Sequence, residues 1–325
     1  MKYKVVVFGV KDTSENIVEY IENNICHVDL VITISPEVTK KNEVSGYKGL
    51  SSLTDKYGIP VFEADSYFLT DEKTTKFIKE NEFDIGISMG WQRLIPKEVL
   101  DAFKHGIFGF HGNAGYLPFG RGRSPLNWSM ILGDTRFNLN LFKYDENADS
   151  PNVFGTKMFS INQHDDIRTA QYKNMICSKA LIAELLEAYK NDSIVIKTES
   201  KDFDSWYKKR TAVDGKVDFK GRTRDIYNLI RGVAAPFPGA FAYVVKKGNE
   251  YPQNTEDLET LKEQYTKVTI WEAHPFDEMM DFSGYAPGEV VDIFDGKLIV
   301  RTVDGSLLID RFECDTDIAA GDILV

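Results

Sequence analysis

The first half of the chain alternates short apolar runs with amphipathic segments, and this alternation is the feature that most limits its fold. The run Lys4–Phe8 is rich in β-branched residues and ends at Gly9, as in strands that are buried on both faces of a sheet. Ile17, Val18 and Ile21 then recur at helical spacing. Strands that alternate with helices predict an open α/β sheet with right-handed crossover connections.

The same patterns predict the remaining elements and three parts of the chain. We expect further strands at Val28–Ile34, Ile59–Glu63, Asp84–Ser88, Ile107–His111 and Phe154–Ile161, and helices at Asp71–Asn81, Pro96–Phe103, Ile167–Tyr189 and Arg222–Ala235. Short strands separated by turns then predict a small antiparallel barrel, at Ala242–Val245, Val268–Ala273, Gly288–Ile293, Lys297–Thr302 and Ser306–Arg311. The polar stretch Asn249–Gln264 is predicted to be an exposed insertion. We therefore expect an N-terminal domain at 1–205, a linker and helix at 206–239, and the barrel domain at 240–325.

The charge and composition of the chain argue against nucleic acid and membranes as its binding partners. The chain carries 50 acidic and 39 basic residues, a formal net charge of −11, whereas a protein that holds nucleic acid through its phosphates needs a basic face. The balance therefore weighs against tRNA or DNA. The start lacks a secretory cleavage site, and no run approaches the ~18 apolar residues of a membrane-spanning helix. We expect a cytoplasmic protein with no membrane partner, whose 3 separated cysteines are reduced thiols.

The densest group of reactive side chains follows the predicted strand Ile107–His111. The strand delivers His111 at its C-terminal end, and a glycine-rich loop with Arg121 and Arg123 comes next. Ligands of open α/β sheets bind beyond the carboxyl ends of strands. An imidazole there can transfer protons near neutral pH, and arginines can hold phosphate or carboxylate. Taken singly, these residues also fit a structural histidine, a solvated turn and, at Asp149, a turn aspartate.

Several motifs follow one another in a specific order between residues 80 and 310. They are Ser88–Pro96, His111, Leu117-Pro118, Arg121-Gly122, Ala148-Asp149-Ser150, Asp214–Asp218, Ile226–Arg231, Pro236–Ala240, Lys267–Ala273 and Pro287–Val290. This arrangement resembles the folate-dependent formyltransferases, the family of methionyl-tRNA formyltransferase and the sugar-nucleotide N-formyltransferases. The resemblance implies the formyltransferase fold, an open Rossmann-like, mostly parallel α/β sheet followed by a small OB-like antiparallel β-barrel.

The sequence departs from the Asn-x-His strand end of that family. Gly109 stands in the Asn place, and Pro118 lies seven residues after His111, where the family has five. In one alignment His111 is the catalytic histidine, the loop carries two extra residues, and Asn113 supplies the missing amide. In the other, Pro118 sets the register, so that His111 takes the Asn place and Asn113 the His place. We prefer the first, because Phe110-His111 still ends the strand.

The resemblance also implies roles for individual residues. His111 would act as base or proton carrier, Asp149 would orient its imidazole, and Asn113 would donate to the oxyanion. The residues implied to line the folate pocket are Ser88, Met89, Gly90, Trp91, Leu94, Ile95 and Asp145. Those implied to bind the second substrate are Arg121, Gly122, Arg123, Tyr116 and Arg231. The co-substrate would be N10-formyltetrahydrofolate, and the chemistry requires no metal.

Two acceptors compete within this family. Methionyl-tRNA formyltransferases grip the acceptor stem with basic residues, but the corresponding stretch here, Pro36–Glu43, is mixed in charge. The tail Asp310–Val325 carries several acids and one arginine. We therefore favour a small-molecule sugar nucleotide, held by a few local arginines, over Met-tRNA.

Other classes of function remain open at this point. Because the Asn-x-His pattern is broken, the domain could hydrolyse formyl-folate or only bind a folate or a nucleotide. The glycines after the first strand do not complete GxGxxG, which argues against a nicotinamide oxidoreductase. A homodimer is compatible with the sequence, which reveals no specific interface.

Overall fold

A computed structural model describes residues 3–147, 149, 152–198, 204–252 and 254–325. The chain forms two compact units. The first contains residues 1–122, 137–159 and 173–207, and the second contains residues 123–136, 160–172 and 208–325. The three-part division drawn from the sequence, at 1–205, 206–239 and 240–325, stays a prediction.

The first unit is built on an eight-stranded sheet in the order β3-β2-β1-β4-β5-β7-β8-β9. Its strands, together with the two-stranded pair β6 and β10, are β1 (Val5–Phe8), β2 (Leu30–Ile34), β3 (Val61–Ala64), β4 (Phe83–Ser88), β5 (Phe103–Asn113), β6 (Arg121–Gly122), β7 (Arg136–Lys143), β8 (Asn152–Ser160), β9 (Lys197–Thr198) and β10 (Trp206–Tyr207). The strands from β3 to β5 pair in parallel. This confirms the α/β fold class with a mostly parallel sheet that the sequence predicts.

Buried apolar side chains stabilise the parallel part of this sheet. Every residue of β1 and of β2 is buried, which is the burial expected for strands with helices on both faces. The helices that alternate with the strands, and those of the rest of the chain, are α1 (Asp12–Asn24), α2 (Pro36–Lys41), α3 (Ser52–Tyr57), α4 (Glu72–Glu80), α5 (Lys97–Leu100), α6 (Pro125–Ile131), α7 (Ile167–Lys190), α8 (Thr223–Val233) and α9 (Leu258–Gln264). No helix within the described ranges has the length and hydrophobicity needed to cross a membrane.

The strand pairing changes from parallel to antiparallel at β5. β7 pairs with β5 in antiparallel register, with Asn140 opposite His111 and Asn138 opposite Asn113. The sequence reading missed β7, because its alternation of Asn with apolar residues was not recognised as a strand. β5 therefore belongs to both parts of the sheet and carries its polar C-terminal half to the edge where the parallel strands end.

The second unit contains a six-stranded sheet in the order β13-β14-β15-β12-β11-β16. Its strands are β11 (Ala240–Val245), β12 (Thr266–Asp277), β13 (Val290–Phe294), β14 (Lys297–Arg301), β15 (Ser306–Cys314) and β16 (Ile323–Leu324). All the pairings between these strands are antiparallel. A bridge between Glu289 and Ile323 joins the two ends of the order, so the predicted barrel-like sheet is confirmed.

The stretch predicted to be an exposed insertion, Asn249–Gln264, is exposed over most of its described residues. It also contains α9, which buries Leu261 completely. Leu261 packs in a small core with Phe241 and Tyr243. A single buried leucine in a polar helix gives a weak periodic signal, which is why the sequence pattern did not reveal this contact.

Candidate active site

His111 lies near the end of β5 with both ring nitrogens engaged. The side chain is buried, with Nδ1 3.2 Å from Asp149 Oδ1 and Nε2 2.7 Å from the carbonyl oxygen of Gly120. A neutral imidazole carries one N–H, so it can donate to only one of these two acceptors, whereas an imidazolium can donate to both. One ring proton more or less therefore makes or breaks one of these two hydrogen bonds.

Asp149 reaches His111 from a turn between β7 and β8. Its other oxygen, Oδ2, accepts a hydrogen bond of 2.9 Å from the backbone N–H of Gly122. Burial opposes ionisation of this carboxyl, but the His111 hydrogen bond and charge, the Gly122 N–H and the Arg121 charge outweigh it and hold the pKa of Asp149 below its usual value. Asp149 is thus an anion in contact with Nδ1 of the imidazole. Its neighbours in the predicted turn, Ala148 and Ser150, lie outside the described residues.

Asn113 lies further along the same strand and is completely buried. Its Nδ2 donates to the carbonyl of Phe119, and its Oδ1 accepts from the backbone N–H of Gly115 at 2.7 Å. Both ends of the carboxamide therefore tie the loop that follows β5. In this arrangement Asn113 organises the loop, and its predicted role as the oxyanion donor stays a prediction.

Two further buried amides, which the sequence reading missed, surround these residues. Asn140 donates to the carbonyl of His111 at 3.2 Å and accepts from the hydroxyl of Thr156 at 2.7 Å. Asn138 donates to the carbonyl of Gly115. The signal was present in the pattern Asn-Leu-Asn within β7, because polar residues at alternate positions of a strand share one face.

The segment predicted to line the folate pocket follows β4 at the carboxyl edge of the sheet. The Met89 N–H donates to Phe8 at 3.0 Å, and its carbonyl accepts from the Ser14 hydroxyl at 2.6 Å, beside the start of α1. Gly90 continues this turn with a φ of 75°.

The remaining side chains of this set differ in exposure. Trp91 and Ile95 are buried in the core of the parallel strands, whereas Leu94 is 58% exposed. Ser88 is buried, and its hydroxyl lies 3.3 Å from that of Tyr144. Asp145 accepts from Asn147 at 2.7 Å and from Asn152 at 3.2 Å, as a turn aspartate does.

Arg121 and Gly122 form the short strand β6, which pairs in parallel with β10. Arg121 pairs with Asp204 at 3.0 Å and lies over the ring of Trp206, 4.3 Å from its centroid. At Gly122 φ is 103°, and a Cβ there would lie 2.4 Å from the carbonyl oxygen of Tyr207. Only glycine fits this contact.

Among the aromatic side chains near this loop, Tyr116 is 60% and Trp206 56% exposed. The sequence reading missed β10, whose partners are more than 80 residues away in the chain. Periodicity cannot detect so short a strand.

The remaining two predicted arginines belong to the second compact unit. Arg123 is exposed. Arg231 is buried in α8 and donates to Asn228 at 2.9 Å, to the Asn162 carbonyl at 2.7 Å and to the Asp165 carbonyl at 3.0 Å. These bonds indicate a structural role for Arg231, and its predicted contact with the second substrate stays untested. Over the described part of the chain, no group of three or more His, Cys, Asp or Glu side chains is arranged to hold a metal ion.

Comparison with known protein families gives two matches. The formyl transferase model matches residues 1–196, and the model of the formyl transferase C-terminal domain matches residues 209–320.

Solved structures with a similar fold include three at low sequence identity. An N-formyltransferase from Helicobacter canadensis in complex with folinic acid and dTDP-3-aminofucose is 16% identical, with a TM-score of 0.64 over 95% of this chain and 99% of that one. WlaRD, a sugar 3N-formyl transferase solved in the presence of dTDP and 5-N-formyl-THF, is 16% identical, with a TM-score of 0.64 over 98% of this chain and 100% of that one. HypX from Aquifex aeolicus is 16% identical, with a TM-score of 0.63 over 97% of this chain, which spans 45% of HypX. At these identities the likeness establishes the fold.

Proposed function

The chain belongs to the formyl transferase family, and from this premise we propose that it transfers a formyl group from N10-formyltetrahydrofolate to the amine of a nucleotide-linked amino-deoxysugar. The observation that carries the proposal is the buried His111–Asp149 pair at the carboxyl edge of the sheet, where α/β proteins bind their ligands. The two sugar-modifying enzymes of similar fold, which were solved with folate derivatives and with dTDP or a dTDP-sugar, support this donor and this acceptor.

The proposed reaction is a direct acyl transfer. The lone pair of the neutral amine forms a bond to the formyl carbon, and the carbonyl π electrons move onto the formyl oxygen. The C=O bond then re-forms as the bond to N10 breaks and its electron pair returns to N10. One proton leaves the amine and one reaches N10, so the products are tetrahydrofolate and the formamide.

His111 carries the proton from the amine nitrogen of the acceptor to N10 of the folate. Nε2 takes the amine proton once the amine replaces the Gly120 carbonyl as its partner, while Nδ1–H donates to Asp149. The Asp149 anion stabilises the imidazolium and fixes the ring, as acid partners do in hydrolase triads. The Gly122 N–H in turn fixes the carboxylate.

The donor fits the segment that follows β4. Leu94 presents an apolar side chain to solvent, beside the turn that Met89 and Gly90 form against α1. A flat heterocycle with a polar edge needs an apolar surface of this kind, together with a few oriented polar groups. We assign donor binding to Ser88–Ile95 on the family resemblance and on this placement.

The acceptor is argued from charge and exposed aromatic surface. With a net charge of −11, the chain is poorly suited to gripping the many phosphates of a tRNA. A sugar nucleotide carries two phosphates and a base, and Tyr116 and Trp206 present exposed rings on which a base can stack. Arg123 is exposed and can donate charge-assisted hydrogen bonds to a phosphate. Arg121 could do so after exchanging its Asp204 partner.

The test is a panel of acceptors. Purified protein is incubated with N10-formyltetrahydrofolate and a series of 3-amino- and 4-amino-deoxysugar nucleotides, with Met-tRNA alongside. We expect one sugar nucleotide to gain the mass of one formyl group while tetrahydrofolate appears in equal amount. A gain by Met-tRNA alone would contradict the proposed acceptor. Free formate that appears without any acceptor would instead identify a hydrolase.

A further inference from the structure

Gly109 and Tyr144 fill one space together, because the Tyr144 ring lies where a side chain at position 109 would begin. Gly109 stands where the resembling family has its Asn. A Cβ built on Gly109 would lie 2.1 Å from the hydroxyl oxygen of Tyr144 and 2.3–2.4 Å from two of its ring carbons. Real Cβ atoms do not approach other atoms so closely, because such contacts are strongly repulsive. The tyrosine ring therefore occupies the space that a side chain at position 109 would need.

The backbone fixes Tyr144 in this place. It follows β7 directly, and its N–H donates to the Ile107 carbonyl at 2.8 Å. Its ring packs against Phe142, with the ring centroids 5.1 Å apart. Its hydroxyl donates to the Ser88 hydroxyl at 3.3 Å, and Ser88 is the partner of Gly109 in the parallel register of β4 with β5.

This position puts the hydroxyl on the face of β5 that carries the histidine. Residues two apart on a strand share a face and lie ~7 Å apart, so Tyr144 covers Gly109 beside the imidazole of His111. Positions 109 and 111 therefore open onto the same space beside β5. The amide of Asn113, on the same face, is already committed to the loop.

The hydroxyl is also in the right chemical state to donate. Burial, with a smaller contribution from the charge of Asp149, raises the pKa of Tyr144 to about 12. The phenol therefore keeps its proton throughout the neutral range. It can turn this donor from the neutral Ser88 hydroxyl, its partner at 3.3 Å, to a developing negative charge, which is the stronger acceptor.

We infer that the Tyr144 hydroxyl donates the hydrogen bond that stabilises the formyl oxygen in the transition state, in the space where the family carries an Asn side chain. This inference rests on the proposed formyl transfer. As the amine bonds to the formyl carbon, the carbonyl electron pair moves to oxygen and the hydrogen bond from Tyr144 strengthens. The bond weakens again when the C=O re-forms and N10 leaves. The proton stays on Tyr144 throughout.

The test is Tyr144→Phe, which removes the hydroxyl and keeps the ring over Gly109. We expect kcat to fall about 10²- to 10³-fold, the loss typical of one oxyanion donor, with KM and Tm little changed and the same loss at every pH from about 6 to 9. The matched control is Tyr189→Phe, which removes another buried hydroxyl at the opposite, amino edge of the sheet, beside His105 and Tyr3. It should keep kcat.

Three outcomes overturn the inference. If wild-type protein transfers formyl and Tyr144→Phe keeps its kcat, the hydroxyl has no such role and the proposed function stands. A variant that loses Tm and raises KM at unchanged kcat has lost only structure. If wild-type protein transfers no formyl to any acceptor, the proposed function and this inference fail together.

A second pair of variants tests the shared space. Gly109→Asn alone should lose activity, because its side chain collides with the Tyr144 ring. Gly109→Asn with Tyr144→Ala puts a carboxamide into the vacated space and should turn over at least about 10-fold faster than Tyr144→Ala, the gain expected from part of one donor. A double variant that folds and is no faster than Tyr144→Ala would overturn the inference.

Discussion

The two halves of the sheet in the first unit are held together by different physical means. In its parallel half, β1 to β5, the strands β1 and β2 consist of buried residues throughout and contribute no exposed residue. Its antiparallel extension, from β5 to β8, buries His111, Asn113, Asn138 and Asn140 on one face. The first half gains stability from burying apolar surface, whereas the second relies on hydrogen bonds from buried amides to backbone carbonyls.

The difference indicates why the site lies on β5, the strand the two halves share. The parallel half supplies a rigid base, because a well-packed apolar core resists displacement. The extension supplies the side-chain amide of Asn140, which donates a hydrogen bond to the backbone carbonyl of His111. Substitutions in the first half should therefore reduce stability, and substitutions in the second should reduce turnover as well.

The largest expected effect comes from the catalytic pair. His111→Ala and Asp149→Asn should each lower kcat by about 10³-fold or more, because the proton carrier or its orienting anion is lost, while circular dichroism shows a folded protein. The control is His105→Ala, at the other end of the same strand. Near-normal turnover by His111→Ala would remove this residue from the mechanism and favour the alignment that places Asn113 in the histidine position.

A core substitution in the parallel half should mainly affect stability. Ile32 lies on β2 and has no exposed surface, so Ile32→Ala should lower the free energy of unfolding by about 2–5 kcal/mol through lost burial and a cavity. Ile32→Val should lower it by about 1 kcal/mol. Urea unfolding measures both, and kcat of the folded protein should be unchanged. A fall in kcat larger than the fall in stability would contradict the proposed separation of roles.

Asn140 tests the antiparallel half. Asn140→Leu leaves the His111 carbonyl and the Thr156 hydroxyl without their partner, which should cost about 1–3 kcal/mol. It should also lower kcat, because the backbone that carries His111 loses a support. Adding Thr156→Val removes one unpaired group and should restore part of the stability without restoring kcat. If kcat returned together with stability, the amide would have no separate effect on the site.

The smallest expected effect is a pH dependence of stability from Asp149. Its folded-state pKa is lowered, so the contribution of the carboxylate is complete above the unfolded value of about 4 and is lost as pH falls below it. The difference in unfolding free energy between the wild type and Asp149→Asn should be constant from about pH 8 to pH 5 and shrink below about pH 4. A difference that grew on acidification would mean that the folded state raises this pKa.

Elements with strong periodic patterns could be predicted from the sequence. The helix expected at Ile167–Tyr189 is α7, and the strand expected at Asp84–Ser88 is β4. β7 and β10 could not be predicted in this way, since one mixes polar with apolar residues and the other has only two residues. The strand that carries His111 was predictable for the same local reason. Its end was not, because β5 runs two residues past the predicted end at His111, to Asn113.

The sequence by itself determined the α/β alternation, the antiparallel strands that begin at Ala240 and the position of His111 at the carboxyl edge of the sheet, because each depends on the order of residues within short segments. Only the tertiary structure decided which groups surround that histidine. The contact of Asp149 with Gly122 joins residues 27 positions apart, and the fit of Tyr144 over Gly109 depends on the register between β5 and β7. Register and chain reversal bring together residues that no local pattern relates. In the sequence, Gly109 is only a departure from the Asn of the family. In the fold, its missing side chain leaves the space that the Tyr144 ring occupies.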